Sequence, residues 1–434
     1  MPSGGWRWCS DVWIALTFDS SSAKPPRGFL ALVTGAAFLT FAQAFMVAPI
    51  LPQLAGVFHT DSGTIGLAVP AYLVPYGVMT LLWGPLSDRI GRRPIILGSL
   101  VAFAALTAGT ALSDTAGSFI LMRVVTGAAA SGVVPISLAL IGDVYPFAQR
   151  GRALGWLFGG MAGGIAVGST AGALAEPFIG WAGLFLVSGV GILAMALLAM
   201  LRLPASHPVQ DTPGWSVVVA GYRNLISTNR GRRTYFYVLL NAVLHSGMYT
   251  WLGLYLVLRF RLGPIGVGLA LLGYGVPGFL FGPIIGKLAD RYGRARIIPA
   301  GVLVAGLCAL TLALDMPLAV VAVTIAVLSL GYDMTQPLLG GIVTDLPGTI
   351  GQSVGLMAFV LFLGFGLGSL IFQALLPAGF PLAFAVFGTA AVLAFGLALR
   401  VFRSERASLS ATGVMRRCSE NATRKPGKRL GEGT

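Results

Sequence analysis

Charge is scarce in this sequence. Asp, Glu, Lys and Arg together make up 10% of its 434 residues, whereas an ordinary soluble domain carries about 25%. With so few charges a chain of this length has no means of covering a folded surface in water. That excludes a soluble enzyme, a nucleic-acid binder and a disordered protein. Cysteine and histidine are equally thin. Cys9, Cys308 and Cys418 are too scattered for a disulfide framework or a metal site, and His59, His207 and His245 are just as dispersed. No secretory signal is legible, since the apolar run 13–18 is too short and has acidic neighbours. A phosphate-binding Gly-x-x-x-x-Gly-Lys-Ser/Thr loop is missing; the stretch 282–287 has the wrong length. Paired metal-binding histidines and a Gly-x-Ser-x-Gly elbow are missing too. Nothing therefore points to a nucleotide-driven pump, an embedded hydrolase, a metal or an organic cofactor.

Apolar residues are abundant, at 56%, alongside 60 glycines. A helix needs about 20 mainly apolar residues to cross the hydrocarbon core of a bilayer. Twelve such stretches run between Gly28 and Phe402, near 28–51, 64–86, 94–112, 117–140, 152–175, 181–201, 234–258, 265–287, 297–314, 317–340, 351–376 and 380–402. The predicted fold is an all-α polytopic membrane protein with twelve transmembrane helices in two six-helix halves. Residues 1–27 form a cytoplasmic leader, 28–201 the first half, 202–233 a linker, 234–402 the second half and 403–434 a basic cytoplasmic tail. The linker contains Pro204, Pro208, Pro213 and a surface helix around 215–226.

Orientation follows from basic residues, because positive loops stay in the cytoplasm. Placing both termini inside puts all but three of the 29 lysines and arginines there. The exceptions are Arg123 within span four and the outer Arg259 and Arg261. The net charge of +14 thus belongs at the inner membrane surface rather than on nucleic acid. In such a topology the sequon at Asn421 would go unused.

The two halves also align with each other at one constant shift. Tyr72 falls on Tyr274 and Pro75 on Pro277. Gly84, Asp88, Arg89, Gly91 and Arg92 fall on Gly286, Asp290, Arg291, Gly293 and Arg294; Pro135 falls on Pro337 and Asp143 on Asp345. Apolar matches between membrane helices are common, but coincident Tyr, Pro, Asp and Arg are not. Each half has an even number of spans, so the repeats are parallel, with a substrate site expected near the midplane between them.

The run from Gly84 to Arg93, between spans two and three, resembles the loop signature of the major facilitator superfamily of secondary transporters. Gly286–Arg294 is its copy between spans eight and nine, and Arg150 and Arg152 after Asp143 also fit the family's pattern. The resemblance covers residues 28–402 and implies alternating access, with these residues as a cytoplasmic gating motif. In that motif Gly84 would allow close helix contact, Asp88 would meet a helix N-terminus, and Gly91 would turn the chain. Arg123 with Gly127 resembles the family's fourth-span motif, with Thr126 in place of the usual Gln. Because a charge inside a span is costly, Arg123 should face the interior and find a partner; an ion pair or snorkelling are the plainer alternatives. Gly164, Gly168 and Gly172 of span five resemble the antiporter motif and so favour export, although helix packing explains such a stripe equally well.

Depth along a helix, at about 1.5 Å per residue, places His245 and Asp333 some 18 Å from the cytoplasmic ends of spans seven and ten, near the midplane. A bare carboxylate there is expensive, so Asp333 is expected to be paired or protonated part of the time. It is the first choice for proton coupling, with His245 and Arg123 as further candidates; a structural role for each is the alternative. Gln43, Tyr72, Tyr76, Asn241, Tyr249, Tyr274 and Gln336 are candidates for the substrate cavity. Phe359, Phe362, Phe365 and Phe372 read mainly as packing or lipid-facing residues.

The expected function is proton-coupled efflux of small molecules, drug-like amphipaths or sugars, resembling the twelve-span drug and sugar efflux branch. Uptake of a sugar, organic acid or other metabolite is the alternative, and a nontransporting receptor on the same fold a remote one. An ion gradient replaces any cofactor. The expected partners are a small-molecule substrate and the lipid bilayer, with the chain working as a monomer in the bacterial inner membrane.

Overall fold

A computed structural model of the protein describes residues 28–145, 147–204, 214–274, 276–347 and 350–405. The expected leader 1–27 and the tail beyond residue 405 lie outside the described residues. Each of the twelve apolar stretches falls on helix, and no strand occurs among the described residues.

Nine helical segments among the described residues are long and apolar enough to cross a bilayer. One of them, Arg152–Arg202, holds two expected spans, because the helical run is interrupted at Gly180 with φ +69° and ψ 165°. Two further spans do not reach that standard, for separate reasons. Span seven, Asn229–Phe260, is long enough but is the least apolar of the long helices, and it buries Asn241, His245, Ser246, Tyr249 and Thr250. A helix whose polar residues face protein has less need of apolar ones. Span eight is divided into Pro264–Ala270 and Val276–Tyr292.

The internal repeat is visible in the backbone. Span four breaks between Ala116–Ala130 and Val133–Val144, and span ten between Leu318–Asp333 and Gln336–Thr344. These breaks occupy corresponding places in the two halves. Gly91 and Gly293, also equivalent, both take positive φ, +96° and +84°. That conformation lacks a steric penalty only for glycine, so both loops turn as the sequence motif suggests.

Span one, Phe29–Phe45 followed by a single 3-10 turn and Leu51–Val57, lies along span five at very close range. A Cβ at Gly164 or Gly168 would stand 2.3 Å from the carbonyl oxygen of Phe38 or Ala42, and one at Gly172 would stand 2.9 Å from that of Met46. Lipid offers no hydrophobic drive between helices, so such close packing supplies the cohesion. The three glycines therefore have a complete structural explanation. Outward faces are apolar instead: Leu186, Val187, Val190 and Leu193 of span six and Val320, Val323 and Val327 of span ten are exposed. In water such faces would aggregate; against lipid tails they cost nothing.

Candidate functional site

The two halves meet along a seam of aromatic rings. From the first half come Phe41 and Phe45 of span one and Tyr72 and Tyr76 of span two, Ala68–Ile90. Tyr76 lies 4.1 Å, centroid to centroid, from Phe362 of span eleven, Ile350–Leu375. Phe45 reaches Tyr249 at 5.5 Å and Phe365 at 6.2 Å. On the second half His245 stacks on Tyr332 at 3.8 Å, and Tyr249 stacks on Tyr274 at 4.2 Å. Phe362, Phe365 and Phe372 are buried, so of the two roles expected for them, packing and lipid-facing, these three take the first. Apolar periodicity alone does not distinguish a face turned to lipid from one turned to the other half, so Phe41, Phe45, Phe362 and Tyr332 carried no distinguishing signal.

Hydrogen bonds tie the polar residues of the second half to one another. His245 and Tyr274 share one. Asn241 donates to the Gln336 carbonyl oxygen at 3.3 Å, and Ser329 donates to the Asp333 carboxylate at 3.3 Å. Tyr249 donates across the seam to the Phe45 carbonyl at 3.3 Å. Asp333 closes the first segment of span ten, beside Tyr332 and hence beside the His245 stack.

Arg123 is fully buried in the first half. Its Nε donates to the Ala68 carbonyl at 3.4 Å and its Nη2 to the Ala44 carbonyl at 3.3 Å, while the guanidinium carbon lies 4.2 Å from the Tyr72 ring centre. It forms no ion pair among the described residues, so neither the ion pair nor snorkelling applies. One turn on, a Cβ at Gly127 would stand 2.2 Å from the Tyr72 carbonyl oxygen. Arg123 and Gly127 thus grip Tyr72 by its ring and its backbone, a physical reason for their four-residue spacing. Gln43 precedes Ala44 in the chain and is 1% exposed.

The seam is closed at both ends. At the arginine-rich end Thr80, which donates to the Gly77 carbonyl of its own helix at 2.6 Å, approaches the Gly355 carbonyl to 3.5 Å, and a Cβ at Gly77 would stand 2.9 Å from Phe362. At the opposite end Gln373 donates to the Gly63 carbonyl at 2.9 Å, and Gly253 and Gly66 press on Pro49 and Trp251. A cavity of about 10 Å³ between spans one, two and seven, bordered by Phe45, Leu73 and Tyr249, has room for scarcely one water. Among the described residues, then, the halves touch at both ends of the seam.

The gating residues gather at the arginine-rich end. Arg92 pairs with Asp88 at 3.2 Å and with Asp143. Arg294 pairs with Asp345 at 2.9 Å, the same pair at the equivalent positions of the second half. Asp88 thus meets Arg92, the first residue of the span-three helix Arg92–Thr110, and a Cβ at Gly84 would meet nothing within 4 Å, so no close helix contact depends on it. Arg89 lies 4.3 Å from the ring of Trp215, and Arg291 lies 5.4 Å from that of Tyr292. Arg152 is exposed. The side chains of Arg150, Gly286 and Asp290 lie outside the described residues.

Two further groups at this end escaped the sequence reading. Glu405, just past span twelve, accepts from Arg230 at 2.8 and 2.9 Å and from Arg233 at 2.8 Å. Burial pushes its carboxyl up, but hydrogen bonds and charge from the two arginines outweigh that and hold it below the usual range. Tyr222 of the linker helix Trp215–Ser227 donates to the Leu81 carbonyl of span two at 3.2 Å. Burial, aided by Asp88, raises its phenol to about 12.

Membrane-crossing helices in two like halves, closed around a polar and aromatic seam, define a multi-pass membrane protein with a site between its repeats. The model of the Major Facilitator Superfamily matches residues 33–369 and again 260–425. The chain belongs to that superfamily, a family of transporters rather than of enzymes. It is 33% identical over 174 residues to a chloramphenicol resistance protein of Pseudomonas aeruginosa, a match covering 39% of this chain and 41% of that one. It is 32% identical over 157 residues to the MFS antiporter QDR2 of Candida albicans, covering 36% and 31%. These matches span less than half of either relative. Among solved structures a D-xylose–proton symporter superposes with a TM-score of 0.71 at 16% identity, covering 86% of this chain and 96% of that one, a likeness of fold.

Proposed function

We propose that this chain is a proton-coupled exporter of small amphipathic molecules, working by alternating access in the bacterial inner membrane with both termini in the cytoplasm. The observation that carries the reading is the position of Asp333. It is the one carboxylate among the described residues near the middle of a span, and it adjoins the Tyr332–His245–Tyr274 cluster at the seam. A carboxylate there can bind a proton in one orientation of the halves and release it in the other, with His245 within the same polar cluster. The aromatic seam suits a partly apolar cargo. Export is favoured by the printed names of the two relatives, a resistance protein and an antiporter. Energy comes from the proton gradient, and the working unit is a monomer.

The test is Asp333→Asn in proteoliposomes. Proton-driven accumulation of chloramphenicol should be abolished, while exchange of labelled for unlabelled chloramphenicol at equal pH persists. Unaltered proton-driven accumulation in the variant would remove Asp333 from the coupling role.

A further inference from the structure

Polar capacity is divided unevenly across the seam. The second half's polar groups mostly engage one another, as in the His245–Tyr274, Asn241–Gln336 and Ser329–Asp333 contacts, and Nε2 of Gln336 is the exception among these. In the first half both amide atoms of Gln43, the hydroxyls of Tyr72 and Tyr76, and Nη1 of Arg123 are buried with no hydrogen-bond partner among the described residues. Each of these four residues is at most 1% exposed. Buried polar groups in native proteins are nearly always satisfied, so a cluster of unsatisfied ones beside a transport seam marks where a ligand's polar atoms belong. Most of the free atoms are donors: two hydroxyls, one amide nitrogen and one guanidinium nitrogen.

Charge points the same way. Arg123 is held by two carbonyls and one ring, without an ion pair among the described residues. No Asp or Glu occurs in 29–57, 62–87, 92–113, 116–142 or 152–175. The interior of the first five spans thus carries one uncompensated positive charge in a region of low dielectric, where such a charge acts strongly.

We infer that Gln43, Tyr72, Tyr76 and Arg123 form the polar half of the substrate site, and that its ligands are aromatic molecules, neutral or anionic, bearing hydrogen-bond acceptors. Lipophilic cations are rejected. The location of the site rests on the transport reading above; the charge preference does not depend on export or on proton coupling. Tyr76, 4.1 Å from Phe362, marks where the ligand's ring would enter as the halves part.

Tetraphenylborate and tetraphenylphosphonium are alike in shape and opposite in charge. Their equilibrium binding to the full chain in uncharged detergent, corrected for partition into empty micelles, reads the charge preference directly. Tetraphenylborate should bind at least about tenfold more tightly, since like charges brought together at a desolvated site are strongly disfavoured. Arg123→Gln should erase the difference and Arg123→Lys should keep it. Gln43→Leu and Tyr76→Phe should each weaken chloramphenicol binding about tenfold, the scale of a lost buried hydrogen bond, and leave tetraphenylborate unchanged. Equal binding of the two ions, tighter binding of the cation, or a preference that survives Arg123→Gln would overturn the inference. Should the arginine variants fail to fold, the unmodified chain with the two ions still decides. A chain that prefers the cation yet exports it against protons would sink this inference alone. One that prefers the anion but shows no proton coupling would sink the exporter reading alone.

Discussion

At the scale of single residues, close approach separates glycines that the sequence treats alike. A methyl group at Gly127 would stand 2.2 Å from the backbone oxygen of Tyr72, whereas one at Gly84 would meet nothing within 4 Å. Gly127→Ala is expected to cost about 1–3 kcal/mol, the usual range for overpacking, while Gly84→Ala should be neutral. Thermal unfolding of the two purified variants in one detergent checks the contrast; equal midpoints would contradict it. Both glycines sit in motifs legible from the sequence, but only the packing tells which one is crowded. The same limit applied to the aromatic residues. Tyr72 and Tyr274 stood out because they coincide in the repeat, and both lie at the seam. Phe41, Phe45 and Phe362 had no such signal, because a phenylalanine turned to lipid and one turned to the partner half look the same in a sequence. Glu405 was hidden for another reason: its partners, Arg230 and Arg233, are far away in the chain and meet it only when span twelve returns to the start of span seven.

At the scale of elements, the linker helix was expected near 215–226 and is found at Trp215–Ser227. What the sequence did not reveal is that it joins the halves. Leu225 packs with Tyr235, Val343 and Leu356 of the second half, and a Cβ at Gly221 would strike Gln352 of span eleven. Tyr222 and Trp215 instead touch Leu81 and Arg89 of the first half. The ends of spans two and eleven must separate if the arginine-rich side is to open, so these two first-half contacts oppose opening. Tyr222→Phe removes one hydrogen bond, worth about 0.5–1.5 kcal/mol, and leaves the ring in place. Spin labels on spans two and eleven at that end should show a population shifted towards longer distances in the variant. An unchanged distribution would show that the helix does not restrain the halves. Span seven makes the complementary point, since its low apolarity arises from lining the seam.

At the scale of the whole molecule, the repeat predicted from a constant shift reappears as paired breaks in spans four and ten, paired positive-φ glycines and the paired contacts Arg92–Asp143 and Arg294–Asp345. The architecture was legible because topology rests on hydropathy and basic loops, which are local. Asymmetry between the halves was only partly legible. Arg123 and Asp333 can be placed in depth by counting residues, but their partners emerge only from packing. The resulting division is physical: the first half presents most of the seam's unsatisfied donors and a positive charge, while the second holds the Asp333 carboxylate and the imidazole. On the proposed reading, these two unlike halves divide between them the exchange of a proton for a cargo molecule. The direct test is the purified chain in liposomes with an acidic lumen and a pH dye inside. Addition of chloramphenicol outside should raise the internal pH as protons leave in exchange for entering substrate; a fall in internal pH, from proton and substrate entering together, would contradict antiport and make the protein an uptake system.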